Sequence, residues 1–243
     1  MGWESKYVNH NLTENQIADF IIKNDTSFQG KLSSYHNYSR VVALAHFDSL
    51  INTLGIKKQF HVGIVAGSDR EFELNFLDYK KVTVLNRGEE INYDLNLDWS
   101  GYASHNFSMI MCNQVLEHVF NPHLAFKNLC QQTAPSGYIY VSIPTLNCIH
   151  GEPDFFSSGF HPRFLEGLAN ENKLEILNIG YWGSYKYMIN AVSGRWLPEN
   201  RLKRGLFRLK DLKYPIKFLF IDGRIKSEKS YITDCWALFK KPT

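Results

Sequence analysis

The stretch Phe107–Pro144, FSMIMCNQVLEHVFNPHLAFKNLCQQTAPSGYIYVSIP, constrains the fold more than any other part of the chain. Its apolar opening, Phe107–Met111, is bounded by polar residues and reads as a buried strand. Asn113 and Gln114 fall where that strand would reach its carboxyl end. Val115, Leu116, Val119 and Phe120 precede Asn121-Pro122, after which Leu124, Ala125 and Leu129 form a helical stripe. The Pro-Ser-Gly turn at 135–137 separates this helix from a second strand, Tyr138–Ile143. Strand, helix, turn and strand in this order make a parallel crossover unit, which implies an open α/β sheet. Sheets of this kind bind ligands outside the carboxyl ends of their strands, so Asn113–His118 and Pro144–Thr145 are pocket candidates.

NQVLEHVFNPHLAFKNL followed by PSGYIYVSIP resembles the segment joining the fourth and fifth strands of class I S-adenosylmethionine-dependent methyltransferases, of the type 11-like kind. There a strand leads into VLEHV, then Asp-Pro or Asn-Pro, then a PGG turn. The resemblance covers roughly residues 60–183 and the last strand. It implies a Rossmann-like, seven-stranded α/β sheet in three α/β/α layers. It also implies S-adenosylmethionine as methyl donor and S-adenosylhomocysteine as product.

A length of 243 residues suits one domain with a sizeable core. The expected organisation is a helical lid over 1–57, a core over 58–183, a basic insertion over 184–230 and a last strand over 231–243. In the lid, Thr13 and Gln16 have capping-box spacing and open a helix running to about Lys23. A longer helix spans about Ser34 to Leu54 and ends at Gly55. His61–Val65 is the first core strand, Arg70–Leu77 a helix and Val82–Leu85 the second strand. The run Ile91–Asn96 supplies a short third strand, which ends in Asp94. Phe164–Asn170 is a helix, Leu174–Ile179 the sixth strand and Tyr231–Lys240 the last.

The resemblance also assigns cofactor residues. The turn after the first strand, rich in glycine in the family, places Gly63 at the usual acid, Val65 at the first glycine and Asp69 at the last; only Gly67 keeps its glycine. Backbone from Gly63 through Ala66 to Gly67 is expected to meet the methionine moiety, which needs close approach. Asn86 stands where a carboxylate usually binds the ribose hydroxyls, with Glu89 as a shifted substitute or the whole segment as an ordinary polar turn. Asp94, with Leu95 beside it, matches the acceptor for the adenine amino group. Asn113 and Gln114 complete the expected cofactor set.

The long connection LNCIHGEPDFFSSGFHP after the fifth strand holds His150, Glu152, Asp154 and His161 among Phe155, Phe156 and Phe160. Methylating an alcohol requires a base to take the hydroxyl proton, and an imidazole can do so near neutral pH. His150 is the first candidate base and His161 the second, with Glu152 or Asp154 orienting either. The cysteines Cys112, Cys130, Cys148 and Cys235 form no CxxC pair and show no metal-finger spacing. Reduced thiols and a metal-independent mechanism are therefore the expectation.

Between Arg201 and Lys229 ten Lys/Arg face three acids, so this segment carries the positive charge and the rest of the chain is net acidic. It suits an anionic acceptor, peripheral contact with an anionic membrane surface, or a solvated face over the sheet edge. A net charge of +3 and the lack of an extended basic-aromatic surface argue against nucleic acid. No apolar run approaches the roughly 18 residues of a membrane span, and no signal peptide opens the chain, so a cytoplasmic protein is expected. The loop type after VSIP and the basic element resemble methyltransferases of sugar and surface-polysaccharide modification, which implies O-methylation of a sugar, free or within a glycan. Another small-molecule acceptor and a non-catalytic binding module stay open. A nicotinamide enzyme is disfavoured by the missing G-x-G-x-x-G. The oligomeric state is not legible.

Overall fold

The computed structural model describes residues 8–9, 19–20, 22–24, 38–56, 60–88, 92–147, 150–183 and 232–243. The basic insertion, most of the helical lid, Glu89 and Cys148 lie outside the described residues.

In chain order the elements are β1 (Val8–Asn9), α1 (Tyr38–Thr53), β2 (Phe60–Val65), β3 (Tyr79–Leu85), β4 (Phe107–Asn113), α2 (Pro122–Gln132), β5 (Thr133–Pro144), α3 (Pro162–Glu171), β6 (Glu175–Trp182) and β7 (Asp234–Lys240). They form one sheet in the order β1-β6-β7-β5-β4-β2-β3. The run β3-β2-β4-β5 is parallel, and β7 is antiparallel to both β5 and β6. The carboxyl ends of the parallel strands therefore open on one edge of the sheet, where such folds bind ligands.

Central strands alternate between two apolar layers. Phe107, Ile110 and Cys112 of β4, Ile139, Val141 and Ile143 of β5, and Cys235, Ala237 and Phe239 of β7 face the layer containing α2 and α3. Met109, Met111, Tyr140, Trp236 and Leu238 face the layer containing α1. Both faces are covered, which is why these strands read as continuous apolar runs rather than as alternating ones.

α1 lays Val41, Val42, Phe47 and Ile51 on the sheet and ends at Gly55, whose φ of +61° is left-handed. The Gly55 amide donates to Asn52 and the Ile56 amide to Ile51, so the last carbonyls are satisfied by a Schellman turn. Arg40 of α1 is 8% exposed and forms an ion pair with Glu73, 0% exposed, with Glu71 as a second partner. The pair fastens α1 to a 3₁₀ helix at Phe72–Phe76.

Two expected elements differ. The helix expected over Arg70–Leu77 is this short 3₁₀ turn. Where a strand is expected over Ile91–Asn96, the described residues form none: 92–94 carry no regular structure and a turn follows. The two-residue β1, on the opposite edge beside β6, instead supplies the seventh member of the sheet. Trp99, fully buried, holds the 94–99 segment in place: its indole donates to the Asp94 carbonyl at 2.8 Å and its amide to Asn128 Oδ1 of α2 at 3.1 Å. β5 also begins earlier than expected, directly after α2, and runs through the Pro-Ser-Gly segment. Gly137 is required there, because a Cβ would lie 2.8–2.9 Å from the carbonyls of Ala134 and Phe107.

Candidate active site

At the carboxyl ends of β2, β3 and β4 the chain encloses a cleft of about 470 Å³. Its walls include Ala66, Asn86, Tyr93, Asp94, Leu95, Asn96, Gln114, Val115, His118, Gly151 and Asp154. A cleft this size holds a ligand as large as a nucleoside bearing an amino acid.

Each wall has a local cause. The Ala66 amide donates to the Leu85 carbonyl at 3.0 Å, tying the end of β2 to the end of β3. The Tyr93 amide donates to Asn86 at 3.1 Å, which draws Asp94 and Leu95 alongside Asn86 without a strand. Asp94 Oδ1 accepts from the Asn96 amide at 2.9 Å and so closes an Asx turn. Gln114 donates from its amide to Ser142 of β5 at 2.8 Å and from its side chain to Asp234 of β7 at 3.2 Å. Ala66 and Gln114 both adopt left-handed backbone, φ +50° and +55°, at the points where β2 and β4 turn into the cleft. Non-glycine residues in that region are uncommon and gather at functional sites.

The other side of the cleft is built by the loop after β5 folding onto a 3₁₀ turn, Leu116–His118. The amides of Phe156 and Ser157 donate to the Glu117 carbonyl at 2.9 and 3.2 Å. His118 Nδ1 lies 2.6 Å from the Asp154 carbonyl. A carbonyl only accepts, so Nδ1 carries the proton and Nε2 presents its lone pair. Nε2 is 3.9 Å from Glu117 Oε1. The His150 ring stands 4.7 Å from the His118 ring, nearly perpendicular to it, and 5.1 Å from Phe155. Gly151 passes over His118 so closely that a Cβ would sit 3.1 Å from the imidazole. Glu117 is buried, and burial pushes its carboxyl up to about 7, with His150 pulling slightly the other way. Arg87 and Asp154 close the mouth with an exposed ion pair.

Ala66, Asn86, Asp94, Leu95 and Gln114 come together in the cleft wall. Other expected residues fall elsewhere. Gly63 is buried within β2, where a Cβ would meet Ile110 and the Phe107 ring at 2.8 Å, so its glycine serves sheet packing. Gly67 and Asn113 do not line the cleft: a Gly67 Cβ would be 2.9 Å from Glu71 Oε1, and Asn113 Oδ1 accepts from Ser142 at 3.1 Å. His150 is exposed at the rim, while Glu152 is an exposed loop residue. His161 is exposed too, and caps α3 by accepting from the Arg163 amide at 3.1 Å. Among the described residues Cys112, Cys130 and Cys235 are free and buried, and burial pushes all of these thiols up, Cys130 to about 12. They are inert as nucleophiles.

The methyltransferase domain model matches residues 37–200, more than half of the chain. The chain belongs to the methyltransferase domain family. No curated protein matches it. Similar solved structures include a putative methyltransferase from Bacillus halodurans, 10% identical with a TM-score of 0.49 over 82% of this chain and 100% of that one. A second is the Burkholderia thailandensis 1,6-didemethyltoxoflavin-N1-methyltransferase, solved with 1,6-didemethyltoxoflavin and S-adenosylhomocysteine bound. It is 12% identical with a TM-score of 0.47 over 98% of this chain and 94% of that one. A third is the N-methyltransferase NodS from Bradyrhizobium japonicum, in complex with S-adenosylhomocysteine, 11% identical with a TM-score of 0.44 over 83% and 86%.

Within this methyltransferase domain, Glu117 and His118 are the site residues that sequence reasoning left without a role. They sat inside the pocket span Asn113–His118, and a charged Glu-His pair within the apolar run VLEHV was the available signal. Among the described residues no helix is long and apolar enough to cross a membrane.

Proposed function

We propose that the chain transfers the methyl group of S-adenosylmethionine to a hydroxyl of a small polar acceptor, a sugar hydroxyl being the reading carried over from the sequence. The observation that supports this most is the cleft wall, which gathers Ala66, Asn86, Asp94, Leu95 and Gln114 at the carboxyl ends of parallel strands in a methyltransferase domain. The fit is chemical as well as spatial. Asn86 and Asp94 offer acceptors and donors for ribose and adenine edges, and Leu95 and Val115 give apolar surface for the base. Ala66 has no side chain beyond Cβ to block the backbone end of the turn.

S-adenosylmethionine supplies an electrophilic methyl group on a sulfonium, which the acceptor oxygen attacks in line. The chain's task is to align the acceptor and keep water away. Gln114, anchored to β5 and β7, fixes the sheet side of the cleft. His118, held by Asp154, and His150 at the rim stand where an acceptor hydroxyl would lose its proton. Exposed Phe120 and Phe156 pack against each other with their rings 5.8 Å apart, Phe120 next in sequence to the cleft-lining Val119, and are the candidates to offer apolar faces to an acceptor.

Calorimetry with S-adenosylhomocysteine tests the reading. Wild type should bind, and Asp94→Ala should bind more weakly by about 1–3 kcal/mol, the usual cost of an unpaired buried polar group. Unchanged affinity in Asp94→Ala removes that residue from the site. No binding by wild type at millimolar ligand leaves the fold as a binding module.

A further inference from the structure

Glu117, His118 and His150 each offer one ligand atom, and these atoms lie within 4.8 Å of one another. Glu117 is 0% exposed, and neither carboxylate oxygen receives a hydrogen bond from another residue among the described residues. A buried carboxylate without donors is costly, and such groups are normally paired or bound to a cation.

The surrounding geometry has the form of a metal site. His118 donates Nδ1–H to the Asp154 backbone carbonyl, which fixes the ring and turns the Nε2 lone pair toward Glu117. A backbone carbonyl holding the far nitrogen is the usual support of a metal-bound histidine. Ligand atoms about 2.1 Å from a tetrahedral ion lie about 3.4 Å apart. The 3.9 Å between His118 Nε2 and Glu117 Oε1 is near that spacing. The expected metal-independent chemistry rested on spacing in sequence, but His150 arrives from the far side of α2 and β5 and leaves no short motif.

We propose that Glu117, His118 and His150 bind a divalent transition ion, with zinc the best match to two imidazoles and one carboxylate, leaving a coordination position open toward the cleft that His118 lines. The consequence for catalysis rests on the methyl transfer proposed above. A hydroxyl coordinated at the open position would become more acidic: its oxygen would form a bond to the methyl carbon as the methyl–sulfur bond breaks, the sulfur keeping that electron pair as neutral S-adenosylhomocysteine and the hydroxyl proton passing to solvent at the rim.

The test uses the full chain, freed of metal by chelator and titrated calorimetrically with zinc alone. One equivalent should bind, and Co²⁺ should give visible d–d bands of a low-coordinate site. Glu117→Gln and His150→Ala should each weaken zinc by more than about 100-fold, since even outer-shell partners of a metal are worth about 10–100-fold. His150 is exposed, so its variant keeps the test valid if Glu117→Gln folds poorly. His123→Ala, an exposed histidine on α2 paired with Glu171, should leave binding unchanged. Failure of stoichiometric zinc binding overturns the proposal, as does undiminished affinity in His150→Ala. S-adenosylhomocysteine titrated into the same metal-free protein separates the two claims. Its binding without zinc binding defeats only the metal site, and zinc binding without it defeats only the proposed function.

Discussion

Ala66 shows how a single position carries both the fold and the site. It takes left-handed backbone at φ +50°, next to a turn that in related folds is rich in glycine. An L-residue there costs about 1–2 kcal/mol, whereas glycine gives back about 0.5–1 kcal/mol in unfolded-state entropy. Ala66 is exposed, so truncation removes no packing. Ala66→Gly should therefore raise stability by about 0.5–1 kcal/mol in denaturant titration while leaving S-adenosylhomocysteine affinity in place. A lowered midpoint would show that the turn is not strained in this way. Glu117 illustrates the opposite case, a residue whose placement costs stability in the free chain and makes sense only through what it faces.

Among the elements, α1 is held by one buried charged contact as well as by its apolar stripe. Arg40 reaches the fully buried Glu73, and removing the guanidinium would strand a carboxylate in the core. Arg40→Ala should cost about 3–5 kcal/mol, whereas Arg40→Met combined with Glu73→Leu should come close to wild type, because a buried pair replaced by apolar groups is often neutral. A loss below about 1 kcal/mol in Arg40→Ala would mean that the pair is solvated. The strands were legible because each central one is a short apolar run bounded by polar residues, and the crossover from β4 to β5 was fixed by Asn121-Pro122 and the helical stripe. The Asp94 segment reads as a strand in sequence, but its described residues form none. Its apolar and polar residues alternate, yet Trp99 and Asn128 pin it as a turn through contacts distant in sequence. The rim loop was legible as functional but not in detail. Which of its histidines meets His118 is decided by hydrogen bonds to Glu117 and Asp154 that no local pattern encodes.

The whole molecule is asymmetric about its sheet. Strands β3, β2, β4 and β5, and β6 across the single antiparallel strand β7, all direct their carboxyl ends to one edge. Helices cover both faces, so the open cleft at the strand ends is where a cofactor and an acceptor can meet. The central claim is that S-adenosylhomocysteine occupies this cleft. A crystal structure of the chain with that ligand tests it most directly. The account predicts the adenosine beside Asn86, Asp94 and Leu95, the amino acid end toward Ala66 and Gln114, and the sulfur facing the His118–His150 rim. Ligand bound elsewhere, or a sulfur turned away from that rim, would contradict it.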